Sequence, residues 1–154
     1  MPAARLLLFA ALLLAGCDVF QSGGSPIPFR LVADTTVSLP DSVDLRYGGG
    51  LRLLRSQGEA DAFRAEYGLP GALPDIDWAS ESLFIVLKRI PNNQRLVITL
   101  VEIYGTERVD YTYEQQLSQA PATGLHTVLV AVATERIAES YGWSASESTP
   151  PLRR

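Results

Sequence analysis

Cys17 is the only cysteine of the chain, and the residues before it decide what its sulfur can do. It closes the box Leu14-Ala15-Gly16-Cys17, directly behind the apolar run Leu6–Ala15. A short positive segment, an apolar stretch and small residues ahead of the cut are the three parts of an export signal. Met1–Arg5 supplies the first with a single positive charge. Cleavage before Cys17 frees its α-amine for acylation with a palmitate-type chain, while its thiol forms a thioether to diacylglycerol. One acyl chain anchors marginally and two hold firmly, at about 0.8 kcal/mol per buried CH₂. The apolar run is too short to span a membrane, which takes about 20 residues in a helix. The box therefore predicts a bacterial lipoprotein with residues 1–16 removed and the chain held in the cell envelope by Cys17. The sequence does not choose between inner and outer membrane.

The remaining reactive side chains are sparse. His126 is the only histidine; in the strand-like Leu125-His126-Thr127 it reads as a structural residue with a satisfied hydrogen bond. No Gly-x-Ser-x-Gly elbow accompanies it, so a serine triad has no scaffold. One histidine and an acylated cysteine cannot furnish a zinc ligand set. Asp75, Asp77 and Glu81, or Asp41 and Asp44, could offer hard oxygens to calcium, but their spacing is not that of a calcium loop. Asp75 and Asp77 are read instead as turn-shaping residues. These observations predict a non-catalytic protein without metal or cofactor.

Aromatic residues form the best candidate surface. Tyr111 and Tyr113 share one face of a strand-like segment, and Tyr104 lies just before them. They are either core residues packed beneath a helix or a binding patch, since tyrosine is enriched where partners bind. Trp143, with Tyr141, lies in a Ser-rich C-terminal stretch and is a second docking candidate.

These residues must be positioned by a domain stabilised without disulfides. The full chain carries a formal charge of −4, and loss of Arg5 takes it to −5. An acidic balance of this kind leaves no electrostatic footprint for nucleic acid. Residues 17–28, rich in Gln, Ser, Gly and Pro, read as a tether. A single domain follows over 29–139, and 140–154 reads as a flexible tail. Phe29–Leu39 is a first strand candidate and Leu51–Arg55 a second. Ser56 with Glu59 forms a capping box that opens a helix, Ala60, Phe63 and Tyr67 recur at helical spacing, and Gly68 stops it.

Leu83–Ile90, Arg95–Tyr104, Val109–Gln115 and Leu125–Thr134 are strands by composition and alternation. Pro91-Asn92-Asn93 reads as a turn. Leu96, Ile98 and Leu100 alternate with Val97, Val101 and Ile103, which predicts burial of that strand on both faces. The short connections predict an antiparallel meander. The fold class is α+β: one helix packed on an antiparallel β-meander sheet of four to six strands.

The order of helix, acidic-aromatic step and strands carries a family resemblance. Leu73-Pro74-Asp75-Ile76-Asp77-Trp78, followed by Glu81-Ser82-Leu83-Phe84-Ile85-Val86, resembles the PrcB-type domain. That family is named for a subunit of a surface protease complex and is often found on lipoproteins. The similarity covers about residues 51–134. Phe63 sits where the family has a helix aromatic, and Pro121 matches a proline before its last strand. The family's glycine-rich hairpin is replaced here by Pro91-Asn92-Asn93. The resemblance implies an accessory role supporting an envelope protease complex and transfers no catalytic residues. The other reading of the chain is a small-ligand or glycan-binding module that uses its tyrosines.

The anchor has a direct test. Mass spectrometry of the mature N-terminus is expected to find an acylated Cys17, and Cys17→Ser to leave the protein unprocessed or released from membranes; an unmodified Cys17 overturns the assignment.

Overall fold

A computed structural model describes residues 23–40, 43, 45, 50–69, 73, 75–117 and 121–148. The Leu14-Ala15-Gly16-Cys17 segment, expected to be a lipidation box, and Asp41 and Asp44 lie outside these residues. In chain order the elements are β1 (Ser25–Pro26), β2 (Phe29–Val37), β3 (Leu51–Leu54), α1 (Gln57–Tyr67), β4 (Glu81–Pro91), β5 (Gln94–Tyr104), β6 (Arg108–Leu117), β7 (Leu125–Glu135) and β8 (Gly142–Ser148).

The class is α+β, but the strands form two four-stranded sheets rather than one meander. One has the order β1-β5-β6-β8 and the other β2-β7-β4-β3. The turn at Asn92-Asn93 does not fold β4 back onto β5. It carries the chain from the second sheet to the first, and β4 pairs with β7 along its whole length, Glu81 opposite Glu135 through Pro91 opposite Leu125. The physical reason lies in β4 and β7 themselves. Leu83, Ile85 and Leu87 bury one face of β4 while Phe84 and Val86 bury the other, and β7 repeats this with Leu129 and Ala131 against Val128, Val130 and Val132. Strands apolar on both faces belong in the middle of a layer covered from both sides.

One covering layer is α1. Ser56 caps it, accepting from the Glu59 N–H at 3.3 Å, and the Glu59 carboxylate accepts from the Arg55 N–H. Gly68 closes it in the left-handed conformation (φ 62°, ψ 39°), with its N–H donating to the Arg64 carbonyl. The buried face is Ala60, Phe63 and Tyr67, and the two rings tilt together at 4.7 Å. This face packs on Leu83, Ile85, Leu87, Leu129 and Ala131.

The other covering layer is the β1-β5-β6-β8 sheet. Leu96, Ile98, Val101 and Ile103 of β5 all face the second sheet because a bulge between Ile98 and Leu100 inserts one residue and flips the alternation. Burial of β5 on both faces, expected from its sequence, is thereby replaced by burial on one, and Thr99 lies exposed at the bulge. Tyr111 and Phe84 stack between the sheets with centroids 3.9 Å apart and planes 13° apart.

Both presumed flexible ends contribute to this layer. Ser25 and Pro26 pair with Ile103 and Glu102, and the Ile27 N–H donates to the Val101 carbonyl at 2.9 Å, so the tether stops short of the expected residue 28. The C-terminal stretch forms β8, parallel to β6. Trp143 and Ala145 alternate inward against outward Ser144 and Ser146, and Trp143 sets its edge on Phe84 at 5.9 Å. The tail is therefore a strand through Ser148. A period of two was present in it, but Ser and Gly content obscured it.

Gly50, just before β3, accepts from the Leu87 N–H through its carbonyl at 2.9 Å; a Cβ there would stand 2.0 Å from the Leu87 carbonyl oxygen. Gly50→Ala is expected to destabilise by about 1–3 kcal/mol through overpacking. Phe84→Ala should cost about 3–5 kcal/mol through the cavity it leaves. Urea denaturation of each variant checks both values.

Candidate functional site

The tyrosines do not converge on one patch. Tyr111 is fully buried between the sheets, not under α1. Burial pushes its hydroxyl up to about 12, with Thr134 and the Arg55 charge opposing the shift. The Thr134 side chain acts on the Tyr111 hydroxyl, yet that hydroxyl completes no hydrogen bond of good geometry. Tyr104 lies at the opposite end of β5 from the Asn92-Asn93 turn. Its ring is covered by the Arg108 guanidinium at 4.7 Å and by Gly24, and its hydroxyl donates to Glu102 at 3.1 Å. Trp143 belongs to the core already described.

Of the aromatic candidates, Tyr113 lines a cavity. The open edges of β3 and β8 leave a cleft of about 290 Å³, lined by Leu45, Gly50, Leu51, Lys88, Tyr113 and Glu147 among others. The Lys88 ammonium lies 5.5 Å from the centre of the Tyr113 ring and pairs with the Glu147 carboxylate, which also accepts from Gln115. Burial raises the Tyr113 hydroxyl, and the Glu147 charge adds to this. Burial also pushes Glu147 up, but the bonds from Lys88 and Gln115 and the Lys88 charge outweigh it, so its carboxyl titrates below the usual range. The cleft thus holds a cation, an anion and a phenol at one sheet edge, with apolar walls. Such a set can orient a small polar molecule.

The acidic candidates are engaged in structure. Asp77 accepts from the Ser80 hydroxyl at 2.7 Å and the Ala79 N–H at 3.2 Å, both of which lower its titration and shape the turn before β4. Trp78 next to it donates its indole N–H to Gln57 at 2.9 Å, fastening this turn to the start of α1. Asp75 is exposed. Glu81 receives a two-pronged pair from Arg30 at 3.0 and 2.8 Å, and that hydrogen bonding lowers its titration first. Among the described residues no three of His, Cys, Asp and Glu gather to hold a metal ion. His126 lies opposite Ile90 at the start of β7, half-buried. It makes no side-chain hydrogen bond among the described residues, contrary to expectation, because the end of its strand opens onto a groove.

Sequence reasoning missed the cleft's charged pair. Glu147 was assigned to the tail, and Lys88 ends an apolar run that reads as pure core. It also missed Arg55, which spans from β3 to donate to the Ile137 and Tyr141 carbonyls at 3.1 and 2.9 Å and so fixes the β7–β8 connection. The lone lysine in this Arg-rich sequence was the available signal.

No family model, curated protein or solved structure matches the chain. Among the described residues no helix is long and apolar enough to cross a membrane.

Two variants probe this region. Tyr111→Phe removes a buried hydroxyl that completes no hydrogen bond of good geometry and is expected to be neutral or stabilising by up to about 1 kcal/mol in urea denaturation. Glu147→Gln should cost about 0.2–1 kcal/mol at pH 7, a value held down by solvent screening of a partly exposed pair. A lowered carboxylate contributes above its ordinary value of 4.5 and loses that contribution as pH falls through the folded value. The gap between wild type and Glu147→Gln should therefore close on acidification.

Proposed function

We propose that this chain is a lipid-anchored envelope protein whose domain acts by binding another envelope protein. The Leu14-Ala15-Gly16-Cys17 box supports the anchor, and the place where the chain reaches the domain carries the rest. Gly24 sits on the Tyr104 ring and Ser25 pairs with Ile103, so the described chain begins at the β5–β6 hairpin. Seven residues, 18–24, separate that point from Cys17. Fully extended they reach about 25 Å. An anchored domain would then keep the Gly105 end toward the bilayer and offer the Asn92 and Gly124 end to the periplasm or medium. The PrcB-type resemblance supports a protease assembly as the partner.

A small-ligand or glycan-binding module is the second reading, favoured by the Tyr113 cleft alone. Tyr111, fully buried, offers it no surface.

Cross-linking in native cells, followed by recovery of the membrane-bound chain, is expected to capture one envelope protein reproducibly through cross-linkers placed at Asn92 or Thr123. Equal capture from Gly105 and Thr123, or no partner together with unchanged envelope complexes on deletion, overturns the binding reading. Specific retention on an immobilised glycan, lost in Lys88→Ala, would instead support the module.

A further inference from the structure

Arg89 stands apart from the other cations among the described residues. Arg30, Arg52, Arg64, Lys88 and Arg108 each hold a carboxylate; Arg55 and Arg136 donate to backbone carbonyls, and Arg95 to Gln116. Arg89 alone among the described residues of this kind makes neither a hydrogen bond nor an ion pair. It interrupts the apolar run of β4 directly opposite Thr127 of β7, which in turn faces Val37 of β2. An unpaired guanidinium here lines a groove of about 460 Å³ at the end of the three strands.

The other walls of the groove suit an anion with an apolar stem. Thr127, opposite Arg89 and on the same face of the sheet, supplies a hydroxyl, while Leu39 and the exposed Leu125 supply apolar surface; Thr36, Ser38 and His126 line the groove from the alternate positions, which turn toward the other face. Among the described residues no carboxylate lines it, although the chain as a whole is acidic. Guanidinium groups match carboxylates with two parallel hydrogen bonds, a geometry that an ammonium cannot reproduce. The volume exceeds that of a bare carboxylate and falls in the range of small-molecule sites.

We propose that this groove is a carboxylate-binding site anchored by Arg89, taking a small dicarboxylic acid or the acidic side chain of a short peptide segment. This site is independent of the anchor and of the Tyr113 cleft. Both ligand sources share the same recognition chemistry, a carboxylate on Arg89 with its stem against Leu125.

The test uses the full chain purified in detergent, titrated by calorimetry with succinate and with a capped tri-glutamate peptide. At least one probe is expected to bind at millimolar concentration or below, weakened about tenfold or more by Arg89→Gln and less by Arg89→Lys. Arg95→Gln, a nearby exposed cation outside the groove, should leave binding unchanged. Tighter binding of the peptide assigns the site to a protein segment, and tighter binding of succinate assigns it to a free acid. Absence of binding by both probes, or binding equal in the wild type and in a folded Arg89→Gln, overturns the proposal. Thermal melts of both Arg89 variants show whether they are folded.

Discussion

The pairing of β4 with β7 is the constraint on which the remaining structure depends. Each strand is apolar on both faces, and once they lie side by side every other element is committed to covering them. One face takes Phe63 and Tyr67 of α1. The other takes Tyr111, Val101 and Leu96 from the β1-β5-β6-β8 sheet. The helix is only 11 residues long, too short to be stable in isolation. Its stability comes from the sheet on which it lies. The three layers also explain how a domain without a disulfide can stand: burial on both faces of the central sheet replaces covalent cross-links.

The same constraint determines where chemistry can occur. A tyrosine on β6 that points inward is spent on packing, as with Tyr111 against Phe84. Polar groups become available only where the layers end. The Tyr113 cleft opens where β3 is shorter than the strands facing it, and the Arg89 groove opens where β2, β7 and β4 run past the helix. Lys88 and Arg89 are consecutive and point to opposite faces of β4, as successive strand residues must. One serves the edge of the sandwich, and the other serves the groove on the helix side. The two features are thus products of a single strand end emerging from its double cover.

Much of the local structure was legible in the sequence. Ser56, Glu59 and Gly68 marked the helix because capping and left-handed turns are decided by a few adjacent residues. The strands β4 to β7 were visible from alternation and β-branched content. Their partners were not. A two-residue Asn-Asn connection looks like a hairpin, and nothing local distinguishes it from a crossover between sheets. The bulge at Thr99 was equally hidden, since its apolar residues read as a strand buried twice. Trp143 stands as a docking candidate in the sequence because the strand that holds it gains its pairing from β6, more than thirty residues earlier.

The sequence by itself carried the Leu14-Ala15-Gly16-Cys17 box on which the proposed anchor rests, and it determined the helix and the positions of the main strands, all of which depend on neighbours within a few residues. Tertiary structure alone decided that β4 joins β7, that Tyr111 is core, and that Arg89 finds no partner among the described residues. Those outcomes depend on which faces compete for burial across the whole domain. Side chains distant in sequence meet only after that competition is resolved.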